Sequence, residues 1–479
     1  MAAQNRAPNA ADSLLELWPF EPLSTRELTF YEHLLEDPAV SAFLRLVETL
    51  RALRQGDADT SEARRACRTF YRALLQVAYK TSAVGLAEGP AELWQQHLFT
   101  LLLSDENEWT LLAARISFEA LPHSVVELAA RDLRLLQPLW TVRPESINQT
   151  LLQHGVPFPA WTDLSSALGS LPPPPPGWLR LTRPHSEAEG ALWSSLDQVM
   201  HAQSPDAASW RELARMLAGY HRQAGAGACN RYAAFRWAGQ GATPPLEGIS
   251  PVMVPDLDHF VGYEMARRQV IENTQRFLAG RPANNVLLFG DRGTGKSSTV
   301  LGLLGRFAWD GLRLVEVRKE QLADFAAIAA QLAQLPQRFL LFVDDLSFEE
   351  GDYSYAALKA ALQGNLTVQP ENVLIYATSN RRHLLAERFS QRQDEVHGRD
   401  ALEEQLSLAD RFGLHVRFDA PDQTLYLQLV ERAAALYGVT VDPETLRAAA
   451  LQWEREENGR SPRTALQFVR DWIGRTGGS

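Results

Sequence analysis

Apolar side chains recur three and four positions apart through residues 24 to 160, as in SEARRACRTFYRALLQVAYK, which gathers them on one face of a helix. The spacing predicts a helical amino-terminal region over 21–170, after a disordered stretch at 1–20. Ser124-Val125-Val126-Glu127 has the form of a capping box that opens the next helix, through ELAARDLRLLQPLW. LPPPPPGW then breaks the pattern, because consecutive prolines enter neither a helix nor a central strand. It reads as a stiff extended spacer, with a docking site for a proline-reading partner as the alternative. Two amphipathic helices follow, HSEAEGALWSSLDQVMHAQ and DAASWRELARMLAGYHRQ, so 171–245 reads as spacer and connecting helices that end in the loops AGAGACN and GQGATPPLEG.

From about residue 246 the periodicity changes. NNVLLF, LRLVEV, RFLLFVDD, NVLIYATS and HVRF are short runs rich in branched and aromatic residues, separated by helical stretches. That alternation predicts a five-stranded parallel sheet covered by helices on both faces, over 246–420. Only helical patterns remain afterwards, so 421–475 reads as a helical lid on an α/β core.

Composition narrows the class without choosing a function. The chain is 45% hydrophobic and 22% charged, as ordinary globular proteins are, and its net charge of -11 offers no general attraction to nucleic acid or anionic membranes. Cys67 and Cys229 stand far apart with no metal-binding spacing, which fits a reducing cytoplasm. MAAQNRAPNAADS lacks the apolar core of a signal peptide, and no apolar run is long enough to span a bilayer. A cytoplasmic protein without a membrane partner is expected.

The chemistry concentrates in GDRGTGKSST, which satisfies GxxxxGK[ST] between a buried strand and the helix SSTVLGLLGRF. Such a loop curls backbone N–H groups around phosphates at a helix amino terminus. Gly290, Asp291, Arg292, Gly293, Thr294, Gly295, Lys296, Ser297 and Ser298 are the expected ATP-binding residues. Lys296 would reach the β and γ phosphates and the Ser297 hydroxyl would bind Mg²⁺. RFLLFVDDL ends a strand in acid at the sheet's carboxyl edge. Asp344 is the expected metal ligand and Asp345 the group that polarises water, with Glu349 and Glu350 close behind.

Three further positions suit a γ-phosphate sensor set. NVLIYATSN ends a strand at Asn380, whose amide could orient water. LSLADRFGL places Arg411 just before the last strand, where it could reach a neighbouring subunit's site. Arg460-Ser461-Pro462-Arg463 reads as a helix start with Ser461 as cap, holding Arg463 at the helix tip.

The phosphate loop, VDDL, ATSN, ADRFGL and SPRTA resemble, in order and spacing, the Walker A, Walker B, sensor 1, arginine finger and sensor 2 motifs of an AAA+ ATPase. The resemblance covers about residues 246 to 475 and implies a homo-oligomer that hydrolyses ATP between subunits. It also carries Phe260, Val261 and Gly262, beside VGYE, over as an adenine pocket. The chain has Asp345, one methylene shorter, where better-known AAA+ motors commonly carry glutamate. DD at the Walker B end and RFGLHVRFDAPDQ are similar to the replication initiator and helicase loader clade. PANNVLLFGDRGTGKSS, DDLSFEEGDYSYAALKAALQG and NVLIYATSNRRHL resemble a bacterial AAA+ family catalogued as a domain of unknown function.

Two other readings stand beside an ATPase that remodels a partner. One is a P-loop kinase or other phosphotransferase acting on a small molecule, and the other is a nucleotide switch or scaffold that does not hydrolyse. The partner is an unidentified protein or nucleic acid. Arg381, Arg382, His383, Arg388 and Arg392 form a basic cluster that either stays solvated, faces nucleotide, or meets a phosphate backbone.

Overall fold

The computed structural model describes residues 27–81, 90–142, 175–181, 187–347, 358–359, 370–380, 411–456 and 459–476. The chain divides into two compact units, one built from 1–173 and 185–230, the other from 174–184 and 231–479. The stretch 171–245, expected as spacer and connecting helices, is thus shared between them.

The first unit is helical among its described residues. Its longer helices are α1 (Pro38–Gln55), α2 (Thr60–Thr81), α3 (Pro90–Ser104), α4 (Glu108–Arg115), α5 (His123–Thr141), α6 (Glu187–His201) and α7 (Ala207–Ala224). Phe43, Phe70 and Trp94 meet at ring-centroid distances of 5.2 to 5.5 Å in the core between α1, α2 and α3. The fully buried Asp132 of α5 accepts backbone N–H groups from Thr29, Phe30 and Tyr31, so its charge is spent on groups that would otherwise lack partners. The expected capping box is not formed. α5 starts one residue early, at His123 behind Pro122, which puts Ser124 inside the first turn. Glu127 turns instead to Arg211 on α7, accepting from Nε at 2.8 Å.

The second unit is an α/β fold, a mostly parallel sheet with helices, followed by a helical lid. Its strands are β1 (Trp178–Leu181), β2 (Ala234–Trp237), β3 (Leu246–Ile249), β4 (Val252–Pro255), β5 (Val286–Gly290), β6 (Leu312–Glu316), β7 (Arg338–Val343), β8 (Val373–Ser379) and β9 (Leu414–Phe418). The main helices of its core are α8 (Glu264–Leu278), α9 (Lys296–Phe307) and α10 (Phe325–Leu332). The lid comprises α11 (Gln423–Leu436), α12 (Pro443–Glu456) and α13 (Pro462–Thr476). The sheet runs β3-β2-β6-β7-β8-β5-β9. The five expected strands are parallel neighbours within it, but the sheet has seven: AFRW adds β2, parallel to β6, and LEGI adds β3, antiparallel to β2. These four-residue strands sit among the turn residues read as loops, and their pairing at the sheet's edge supplies what local pattern did not. Every residue of β8 is buried, which explains its unbroken apolar run.

β1 and β4 form a separate antiparallel pair, Trp178 opposite Pro255 and Leu181 opposite Val252. The proline-rich segment therefore leads into a strand of the second unit. In the lid, Tyr426, Val430, Ala450, Ala465 and Phe468 pack α11, α12 and α13 together.

Gly290 closes β5 directly against β9. Its φ is 133°, and a Cβ there would stand 2.0 Å from the Phe418 carbonyl oxygen. Both the left-handed backbone and the contact with main chain require glycine. Gly290→Ala is expected to cost on the order of 3 kcal/mol or more of stability, read from denaturant unfolding. Unfolding indistinguishable from the parent chain would contradict this packing.

His221 of α7 is fully buried, with Nδ1 3.1 Å from the Gly225 carbonyl and Nε2 without a hydrogen-bond partner. Burial pulls its pKa from the ordinary 6.5 down to about 4, only partly offset by the Gly225 contact. The unfolded chain thus takes up this proton first as pH falls. The stability contributed by neutral His221 is complete above pH 6.5 and is lost between 6.5 and about 4, by on the order of 3 kcal/mol. His221→Phe should flatten that part of the pH–stability curve; identical slopes in the two proteins would show that His221 is not its source.

Candidate functional site

The loop after β5 turns through Gly293 and Gly295, at φ 74° and 95°, before α9 begins at Lys296. Gly295 provides no capping side chain, so the first-turn N–H groups of α9 receive none. They point where a phosphate would be held by hydrogen bonds and helix dipole together. Lys296 is 5% exposed, and its ammonium donates to the Gly290 and Asp291 carbonyls at 2.9 and 2.6 Å and to Asn380 Oδ1 at 3.0 Å. Burial pulls its pKa below the usual lysine value, while Asp291, Asp345 and Asp344 oppose that shift and Arg463 adds to it.

β7 and β8, adjacent in the sheet, deliver the acids and the amide. Asp344 Oδ1 accepts from Ser297 Oγ at 2.5 Å and from Thr378 Oγ1 at 2.6 Å. The Asp345 N–H donates to the same Thr378 hydroxyl at 2.9 Å, and Asp345 Oδ1 accepts from Asn380 Nδ2 at 2.6 Å. Asn380 thereby bridges Lys296 and Asp345. Asp345 has a φ of 52°, in the left-handed region, where aspartate is several-fold enriched among non-glycine residues. The backbone at this position therefore favours the shorter acid over glutamate. A hydroxyl and a carboxylate oxygen brought together form a hard donor pair suited to Mg²⁺, which needs one or two protein ligands beside water and phosphate.

A cavity of about 760 Å³ opens over the loop, lined among others by Lys296, Asp344, Asp345 and Asn380. Arg463 lines it too. Ser461 caps α13 by accepting from the Thr464 N–H at 3.0 Å, and the Arg463 N–H donates to the Gly293 carbonyl at 3.3 Å. A Cβ on Gly293 would lie 2.9 Å from Ser461 Oγ, so the lid sits against the phosphate loop.

Phe260 and Val261 line the cavity, but Gly262 does not. Gly262, at φ 75°, turns the chain beneath Leu425, its N–H bonded to Glu264 and its carbonyl to Arg267. Gly290 and Asp291 are likewise outside the cavity wall. The Asp291 carboxylate accepts from the Ala420 N–H at 2.7 Å and ties the loop to the end of β9. Arg411 is half-buried, with Nη1 3.5 Å from the Lys359 carbonyl, and does not line this cavity. Glu349, Glu350 and the basic cluster from Arg381 to Arg392 lie outside the described residues.

Sequence reasoning missed Arg432, Arg470 and Trp178, which also line the cavity. Arg470 follows Arg463 by two helical turns, and Arg432 shares a face of α11 with Leu429 and Leu436. That periodicity was available in the sequence, although only the docked lid shows which face turns inward.

Solved structures of the Thermotoga maritima RuvB Holliday junction branch migration motor, and of a single-residue variant of it, are similar at 20% identity with TM-scores of 0.33 and 0.34. The matches cover 47% of this chain, and the chain spans 66% of the length of those structures. No helix among the described residues is long and apolar enough to cross a membrane. A family profile described as "Protein of unknown function (DUF815)" matches residues 230–476, just over half of the chain. The matched span holds the sheet with its phosphate loop, the paired acids and the lid, and the chain belongs to this family.

Proposed function

We propose that the protein is a Mg²⁺-dependent ATPase that cleaves ATP to ADP and phosphate at a site between subunits of a homo-oligomer, and couples this to rearrangement of a protein or nucleic-acid partner. The observation that carries the reading is the bridge Lys296–Asn380–Asp345, which sets a cation, an amide and a carboxylate around one point above the phosphate loop. A small-molecule kinase needs an acceptor there; a hydrolase needs water held by a carboxylate.

In this reading Gly293, Gly295 and the first turn of α9 cradle the triphosphate. Lys296 neutralises its β and γ oxygens. Ser297 and Asp344 would hold Mg²⁺, whose chemistry is to draw charge from the β and γ phosphates. Asp345 and Asn380 orient a water against the γ phosphorus; its oxygen bonds to phosphorus as the bridge to the β phosphate breaks and ADP leaves, and Asp345 accepts the proton the water gives up. Arg463 stabilises the charge that develops on the γ oxygens from the same chain, and Arg411 does so from a neighbour. Its place outside its own chain's cavity accords with action in trans.

Phosphate release measured against protein concentration tests this directly. Turnover per chain is expected to rise with concentration and to fall by roughly a hundredfold or more in Lys296→Ala, Asp345→Asn and Arg411→Ala. Asp345→Asn should still bind ATP, and a pull-down with it should retain the partner. Flat turnover per chain with an active Arg411→Ala would remove the inter-subunit reading, and ATP use only with an added acceptor would favour the kinase.

A further inference from the structure

We propose that Trp178, from the segment that ends the proline run, forms the base-binding wall of the cavity and stacks on the purine of the bound nucleotide. This rests on the nucleotide reading above. The cavity that holds the phosphate loop and the acids is also lined by Trp178, Phe260 and Val261 from the core and by Leu429, Ala433 and Leu436 from α11, with Asp256 and His259 beside the Gly177 turn. Apolar side chains sharing one cavity with a phosphate cradle suit a flat heteroaromatic group joined to phosphates.

Trp178 is held there by main chain rather than by chance packing. Its N–H donates to the Pro175 carbonyl at 3.0 Å, which turns the chain, and the Gly177 carbonyl accepts from the Asp256 N–H at 2.9 Å. Four consecutive pairs then fix β1 on β4, and β4 leads through Asp256 into Phe260 and Val261. A Cβ on Gly177 would be 3.5 Å from His259 Cβ and 3.7 Å from Leu436 Cδ1, so this turn lies between the core and the lid. Strand alternation sets Trp178 opposite in facing to Leu179 and Leu181. Leu181 packs on the sheet's core, and Leu179 Cδ1 lies 3.1 Å from where a Cβ on Gly305 of α9 would be. The indole is left to the cavity, only partly buried, a poor arrangement for a purely structural tryptophan. Trp178 also precedes residues 230–476, so the wall is contributed from outside the span that the family profile matches.

Equilibrium binding to the full chain, with ATP and with inorganic tripolyphosphate as a probe without a base, separates the outcomes. Trp178→Ala is expected to weaken ATP binding roughly tenfold and to leave tripolyphosphate unchanged, while Trp178→Phe keeps most of the ATP affinity. The chain has 12 tryptophans, and quenching of tryptophan emission by ADP is expected to disappear in Trp178→Phe while ADP still binds. Unaltered ATP affinity in Trp178→Ala, equal losses of ATP and tripolyphosphate, or persistent quenching in Trp178→Phe would overturn the assignment. Lys296→Ala distinguishes the two levels. If it abolishes ATP binding while Trp178 is indifferent, only the base wall is lost. If the parent chain binds no nucleotide, the nucleotide reading falls as well.

Discussion

The carboxamide of Asn380 fixes two opposite charges at once, its oxygen on the Lys296 ammonium at 3.0 Å and its nitrogen on the Asp345 carboxylate at 2.6 Å. An amide is suited to this because it offers an acceptor and a donor from one rigid plane. Around that bridge the acids, a strand-end hydroxyl and the loop serine are joined in turn. Thr378, at the same strand end, donates to Asp344 and accepts from the Asp345 backbone, and Asp344 in turn holds the Ser297 hydroxyl. Loop, acids and amide thus form one hydrogen-bonded unit supported by adjacent parallel strands.

The sheet gives this unit its rigidity. β5 lies between β8 and β9, so the phosphate loop emerges beside the strand that carries Asn380 and is held from the other side by β9. Gly290 meets Phe418 main chain to main chain, and Asp291 bonds through its N–H to the Phe418 carbonyl at the end of β9 and through its carboxylate to the Ala420 N–H just beyond. The lid completes the enclosure through Ser461 and Arg463 against Gly293. The lid is thus in direct contact with the phosphate loop.

Much of this was legible in the sequence, for identifiable reasons. Strands β5 to β8 are apolar runs because both faces are covered, whereas β9 at the sheet's edge alternates buried and exposed positions, and the glycine-lysine loop and the acids sit at strand ends, where short spacing already implies position. Asn380 could be placed for the same reason. Legibility failed where position depends on distant pairing: β2 and β3 are short strands hidden among turn residues, and Trp178 acquires its place only by pairing with Pro255. Arg432 and Arg470 belong to helices whose inward face is set by docking. Gly262, Gly290 and Asp291 stand outside the cavity wall, where Gly290 packs on the Phe418 main chain and the Asp291 carboxylate bonds to the backbone beyond β9. The left-handed backbone of Asp345 gives a conformational reason for aspartate that spacing alone does not contain.

The bridge makes one claim that activity measurements can isolate: Asn380 and Asp345 act as a single element. A double-mutant cycle on the rate of ATP hydrolysis, comparing Asn380→Ala, Asp345→Ala and the double variant, measures it. A coupled pair gives a double variant no slower than the worse single one. Losses that multiply across the two positions would show that each works alone, and the bridge would then be a contact without a shared role.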